Sequence, residues 1–387
     1  HITRNYRCLA ATFRVQENAF LDALHDIVEQ YARNHGREPT DVSHWDPSRE
    51  FMQTVRVALP FPKPLDPIPY RYSYLMMNKA EVLRKFGLDP NEIGVLFTEN
   101  GSESISAVAN ALKLLGVTDV HIFDPSYFTT HHNLSRLGIN VHRNKWKRQN
   151  ASYDWLLDVP STPSHAIWVT DPIYNTGVYL PDEFVHALAV KASKGAKIVA
   201  DETLSIFPGK FARAMGSSGQ FFAIHTPHKA VCVNGLKFSV VVFRKELESS
   251  FEDWADVLSG GLGISALVAT EHFLSDEYDQ YREAFLEALK LVRKWHSQTI
   301  AEFGRFAMLD EQSTGHFASV YFPNKSASLG VSIDYLRSVV ERTGAFFIPG
   351  NRSGFDPDSG FCFRVNLSRD SPRFRGALRR LYRELAQ

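Results

Sequence analysis

The sequence predicts an α/β protein: a large domain with a mostly parallel central sheet flanked by helices, plus a smaller α+β domain. Two observations carry this. Between about residues 92 and 243, short apolar runs rich in β-branched residues alternate with amphipathic stretches, the pattern of βαβ units. Outside that region, residues 14–34 and 264–303 read as long helices, and 304–387 mix short strands with two helices. At 387 residues the chain is long enough for two domains.

Taken in order, Phe13, Val15, Phe20, Leu21, Leu24, Ile27, Val28 and Tyr31 recur at helical spacing and read as the buried face of one helix. Residues 59–69 hold five prolines, which excludes a helix or a central strand and predicts an extended connection. Strands are expected at 94–98, 120–123, 166–170, 197–200, 229–233 and 238–243. Several are apolar at consecutive positions, as parallel strands covered on both faces are. Helices are expected at 102–115, 129–137 and 181–194, the last opening on Pro181, Asp182 and Glu183, whose ring and carboxylates favour a helix start. In such a sheet ligands sit at the C-terminal ends of the strands.

Lys plus Arg and Asp plus Glu each total 43. With no basic excess, nucleic acid is not expected as a partner. No apolar run approaches the ~18–20 residues that cross a bilayer, and no membrane association is expected. Three cysteines, Cys8, Cys232 and Cys362, form neither a disulfide framework nor a metal-ligand spacing, so no metal is expected and a reducing, cytoplasmic setting fits best. The first residues lack the apolar segment of a signal peptide.

Three places carry chemistry. Lys229, in His225-Thr226-Pro227-His228-Lys229-Ala230, stands at the start of an apolar run, where partial desolvation would pull an ammonium's pKa down towards use as nucleophile or base. Taken alone, it also fits a lysine whose stem covers a strand end. The run Lys197-Ile198-Val199-Ala200 ends in Asp201 and Glu202, two carboxylates that call for a cation or serve a turn. Asn100-Gly101-Ser102-Glu103 joins a strand to a helix, whose first amides can hold an anion.

These motifs follow one another along most of the chain, with Asp124-Pro125-Ser126-Tyr127, Asp171-Pro172-Ile173-Tyr174-Asn175-Thr176-Gly177 and Phe363-Arg364-Val365-Asn366 in the intervals. In that order the chain resembles the fold type I pyridoxal 5′-phosphate (PLP) enzymes of the class I/II aminotransferase superfamily. The resemblance implies PLP as cofactor and Lys229 as its Schiff-base lysine, with Asp201 on the pyridine nitrogen and Tyr127 stacked on the ring. It implies a phosphate held by Gly101, Ser102, Glu103, Thr226 and Lys237, together with Tyr74 from the partner of a homodimer. Arg364 would take the substrate α-carboxylate, and Trp45 would lie over the substrate. The expected partner is a small amino acid.

The departures cluster on one edge of the ring. Leu204 stands where these enzymes usually carry a tyrosine facing the ring's phenolic oxygen. Tyr174-Asn175 replaces Asn-Pro, so either Tyr174 or Asn175 would donate there, and Lys237 replaces an arginine. His228, directly before the lysine, is a candidate second acid/base group. Arg352 is a candidate second basic group for an acidic substrate side chain. The resemblance also implies a large domain at 48–265 and a small one from 1–47 and 266–387, with the Gly-rich segment 258–265 crossing towards the partner. The implied activity is an aminotransferase acting on an L-amino acid; the alternative is β/γ-elimination, replacement or cyclisation in a specialised biosynthetic pathway.

Overall fold

The computed structural model describes residues 15–56, 78–148, 153–217 and 219–387. Phe13, the proline-rich stretch 59–69 and Tyr74 lie outside them. The strands in chain order are β1 (Thr40–Asp41), β2 (Ile93–Thr98), β3 (Asp119–Asp124), β4 (Asn140–Lys145), β5 (His165–Thr170), β6 (Lys197–Asp201), β7 (Phe221–His225) and β8 (Ser239–Arg244). The C-terminal part adds β9 (Met308–Leu309), β10 (Phe317–Phe322), β11 (Ala345–Phe346), β12 (Ile348–Pro349) and β13 (Phe361–Asn366).

Seven strands form the central sheet in the order β2-β8-β7-β6-β5-β3-β4. Within it β8 runs antiparallel to both neighbours, and the remaining pairs are parallel. Side chains alternate between the two faces. Along β5, Ala166 and Trp168 pack under the helices Gly101–Leu114 and Phe128–Arg136, while Ile167 and Val169 join the other core with the helix Asp182–Ser193. The expected α/β architecture is present. So is the smaller part, a four-stranded antiparallel sheet β12-β13-β10-β9 with helices Ile333–Thr343 and Pro372–Leu385.

One expected strand is absent. Residues 229–233 are not extended; Pro227–Ala230 is a helical turn, and the strand lies upstream at β7. Pro227 has no N–H to give a ladder and suits the first turn of a helix. Lys229 N and Ala230 N both donate to the Thr226 carbonyl, at 3.0 and 3.3 Å. The expected helical stretch 264–303 is two helices, Ile264–Leu274 and Asp276–Ala301, parted at Ser275, whose backbone is extended (ψ 159°). A further strand, β4, was not expected; it is an edge strand with a polar, mostly exposed sequence.

The N-terminal helix Gln16–His35 and β1 belong with the C-terminal part, since β1 pairs in parallel with β11. This places the segment 43–45 between the two sheets, over the C-terminal ends of β6 and β7.

Candidate functional site

The N-terminal end of the helix Gly101–Leu114 is built by its own cap. Asn100 Oδ1 accepts from Glu103 N at 3.0 Å, and Glu103 Oε2 accepts from Glu99 N at 2.8 Å, a cap in which the acid reaches one residue further back than in a capping box. Glu103 is therefore a cap, and its amide is already used. Gly101 is buried, and a Cβ there would stand 3.4 Å from both Thr203 Oγ1 and Thr226 Oγ1. Its hydrogen keeps a small polar cradle open. Thr226 Oγ1 is fixed by donating to Ser239 Oγ at 3.0 Å, whereas Thr203 Oγ1 is buried without a partner.

Lys229, on the turn after β7, shares a cleft with Asp201 at the end of β6, and with Trp45, Gly101, Ser102, Tyr127, Thr170, Tyr174, Thr203 and Leu204. Its Nζ lies 4.2 Å from the centroid of the Trp45 ring and 5.8 Å from that of Tyr127, and makes no hydrogen bond among the described residues. Burial is the main reason its pKa falls to about 8; Lys237 and Arg364 push the same way, and Asp201 opposes them. Asp201 is raised by burial, moderated by the nearby Thr203 side chain, by the Thr203 amide, which donates to its Oδ1 at 3.0 Å, and by the charge of Lys229. An amine brought close to neutrality thus faces a buried carboxyl.

Lys237 is near enough to act on Lys229 electrostatically but does not line the cleft; its Nζ donates to the Asn234 carbonyl at 2.7 Å. His228 points away from the site. Its Nε2 pairs with His272 Nδ1 at 3.0 Å in a buried layer beside Phe238 and Tyr278, and burial holds its pKa near 3. This is a packing histidine, and the second acid/base role expected for it is not supported.

Tyr174 and Asn175 are neighbours in the wall of the cleft, and the Tyr174 hydroxyl interacts with the side chains of both Asn175 and Arg364. Tyr174 lines the cleft with Lys229 and Asp201, its ring 5.9 Å from that of Tyr127, and burial pushes its hydroxyl up to about 12, so it stays a donor at neutral pH. Asn175 sits in the left-handed region (φ 63°) and turns its Oδ1 to Arg364 Nη1 at 3.3 Å.

Arg364, on β13, is buried. It is sandwiched between Trp45 and Phe317, at 4.7 and 4.8 Å to the ring centroids, and its Nε donates to the Ser43 carbonyl at 3.0 Å. The Trp45 carbonyl in turn accepts from Cys232 Sγ at 2.9 Å and from Asn234 Nδ2 at 3.2 Å. Leu204 is in the cleft and offers no hydroxyl.

From this cleft a cavity of about 390 Å³ leads outward, walled by Trp45, Tyr127, Tyr174, Arg364 and Arg352 and roofed by Glu17, Phe20 and Leu21 of the N-terminal helix. The helix is clamped down where Glu17 Oε2 meets His132 Nε2 at 2.6 Å, with His131 Nε2 3.6 Å from Oε1. Burial would raise the Glu17 pKa, but the two imidazoles outweigh it and lower it. Sequence reasoning missed Thr203, Phe317, Glu17 and the cavity-facing part of Phe20 and Leu21. Thr203 lay inside a recognised motif, whereas the periodic helix signal marks Phe20 and Leu21 only as apolar. Tyr74 lies outside the described residues.

No known family's sequence profile matches the chain, and no curated protein matches it in sequence. Solved structures do match in shape. An aspartate aminotransferase double mutant from Thermus thermophilus superposes with a TM-score of 0.71 at 16% identity, over 94% of this chain and 96% of that one. YbdL from Escherichia coli, described as having a methionine aminotransferase function, gives 0.67 at 14% identity over 92% and 96%. The PLP-dependent cyclase OrfR gives 0.67 at 20% identity over 93% and 96%. The expected aminotransferase-type fold is present across nearly the whole chain.

Proposed function

We propose that this chain, which has the aminotransferase fold, is a PLP-dependent aminotransferase acting on an L-amino acid. The observation that carries the reading is Lys229: an amine with a lowered pKa and no hydrogen-bond partner among the described residues, in one cleft with buried Asp201 and the open helix end at Gly101. The residues fit the cofactor. The Gly101 cradle would be filled by any Cβ, Thr203 Oγ1 lacks a partner, and a carboxylate and an amine lie between aromatic rings.

When bound, PLP supplies an aldehyde for the lysine and a ring that withdraws electrons from the substrate Cα. The amides of Gly101 and Ser102 would hold its phosphate, joined by the Thr226 hydroxyl if its proton turns from Ser239 Oγ to the anion. Asp201 would hold the ring nitrogen, Tyr127 would lie against the ring, and Tyr174 would donate to the phenolic oxygen. Arg364, held in plane by Trp45 and Phe317, takes the α-carboxylate with its remaining donors. Lys229 Nζ then removes the α-proton and returns it, a transfer favoured by a pKa near the working pH. The large domain, 48–265, would carry the cofactor, and a homodimer would complete the phosphate site.

A second reading, elimination, replacement or cyclisation at the β or γ carbon, is favoured by Leu204, which brings no hydroxyl into the cleft beside Tyr174. The experiment is to purify the protein with PLP and titrate it with amino acids, following the visible band and the products by mass. A keto acid formed one per active site supports the aminotransferase. A product that has lost a substituent supports the second reading, and absence of any PLP band, unchanged by Lys229→Ala, overturns both.

A further inference from the structure

We infer that Glu17, His131 and His132 form a binding site for one divalent transition-metal ion, of which Zn²⁺ is the probe, and that the ion fastens the N-terminal helix over the outer cavity. The site shares no residue with the Lys229 cleft and does not depend on the chemistry proposed there. Among the described residues, these three side chains each bring one ligand atom to a point where all three atoms lie within 4.8 Å of one another. They come from two elements: Glu17 from the first turn of Gln16–His35, and His131 and His132 from within Phe128–Arg136. Residue spacing cannot reveal the set, because Glu17 stands 115 residues before His132.

Consecutive residues of a helix do not ordinarily face each other. Here the two imidazole centroids are only 4.4 Å apart, with the rings inclined at 35°, and the carboxylate meets both. His132 Nε2 is 2.6 Å from Glu17 Oε2, and His131 Nε2 is 3.6 Å from Oε1. Two ligands of a tetrahedral ion, each ~2.0–2.1 Å from it, stand about 3.3 Å from one another, a separation that these two gaps bracket. His131 is the uncommitted member. Its Nδ1 is buried without a partner, and its Nε2 is beyond hydrogen-bond reach of Glu17. With its proton on Nδ1, it presents the Nε2 lone pair to an ion.

Two imidazoles and one carboxylate suit Zn²⁺ and its first-row neighbours, whereas Mg²⁺ and Ca²⁺ favour oxygen ligands alone. Side-chain exposures of 18–30% let an ion enter from solvent, and three protein ligands leave a position for water. Glu17 also lines the outer cavity, and Tyr127 directly precedes the helix that bears both imidazoles. An ion here would tie the roof of the cavity to the helix beside Tyr127 through three ligands in place of one hydrogen bond.

The test strips the PLP-loaded protein of adventitious metal with a chelator and titrates it with Zn²⁺ by calorimetry, in excess Mg²⁺ and without amino acid. One ion per chain should bind through these residues. His131→Ala, His132→Ala and Glu17→Gln should each weaken it about tenfold or more, with circular dichroism showing that each variant folds. Zn²⁺ should also slow amide exchange in Gln16–His35 several-fold in the unaltered chain and not in the variants. A second imidazole group supplies the control: His121 Nε2 lies 3.2 Å from His165 Nδ1, and the His121 and His142 rings stack at 4.5 Å. Zn²⁺ binding lost in His142→Ala but kept in the three variants overturns the inference, as does failure of Zn²⁺ to bind in excess Mg²⁺. Bound Zn²⁺ that leaves exchange in Gln16–His35 unchanged overturns the fastening of the helix. None of these results bears on the aminotransferase reading, which is tested separately by the visible band.

Discussion

Gly177 shows how tightly the backbone is drawn in around Arg364. It adopts φ 71°, and a Cβ would stand 2.1 Å from the Thr314 carbonyl oxygen, so Gly177→Ala should lose roughly 1–3 kcal/mol of stability by denaturant unfolding. The two residues before Thr176 are separable by experiment. Tyr174→Phe removes a donor to the deprotonated cofactor and should move the pH midpoint of the visible band upward. Asn175→Ala should leave that midpoint in place and raise KM for the amino acid several-fold, because Arg364 Nη1 loses its acceptor. Opposite results would reverse the assignment of the two side chains. The aspartate was legible in the sequence because it ends an apolar run at a strand end, and the lysine because it opens one, although that run is not a strand. That Asn175 would turn to Arg364 was not legible, since its backbone twist at φ 63° sets that direction.

Among the elements, the buried strands declared themselves through apolar runs, and the capped helices through their first turns. The turn bearing Lys229 did not: Ala230-Val231-Cys232-Val233 is as apolar as a strand, but Pro227 and the left-handed Cys232 (φ 63°) make it a bend. Nor could composition show that the N-terminal helix roofs a cavity, because a wall and a core present the same apolar stripe. The clamp that seats this helix is partly exposed, with side-chain exposures of 18–30%, and such pairs contribute about 0.5–1 kcal/mol. Glu17→Ala should therefore raise KM about two- to fivefold and speed amide exchange in Gln16–His35. Unchanged exchange there would show that packing alone holds the helix.

Across the whole molecule, burial depresses a group of imidazoles: His225, His228, His296 and His316 to about 3, and His121 to about 4. Their folded pKa values lie below the ordinary 6.5, so the unfolded chain binds more protons as the pH falls from 6.5 towards 3, and stability is lost over that window. Asp171, raised to about 6, and buried Asp201 and Glu202, also raised, act in the opposite sense above pH 4, but the five imidazoles outnumber them. The denaturation midpoint should fall on acidification below pH 6 and more steeply below pH 4, where the carboxyls no longer compensate. His296→Gln, remote from the cleft, should flatten that slope.

The carbonyl of Trp45 is bonded by Cys232 and Asn234, three and five residues beyond Lys229. A shift of the backbone at Trp45 therefore pulls on the short bend that carries the amine. The ring beside the amine and the bend beneath it are in that sense hung on one post.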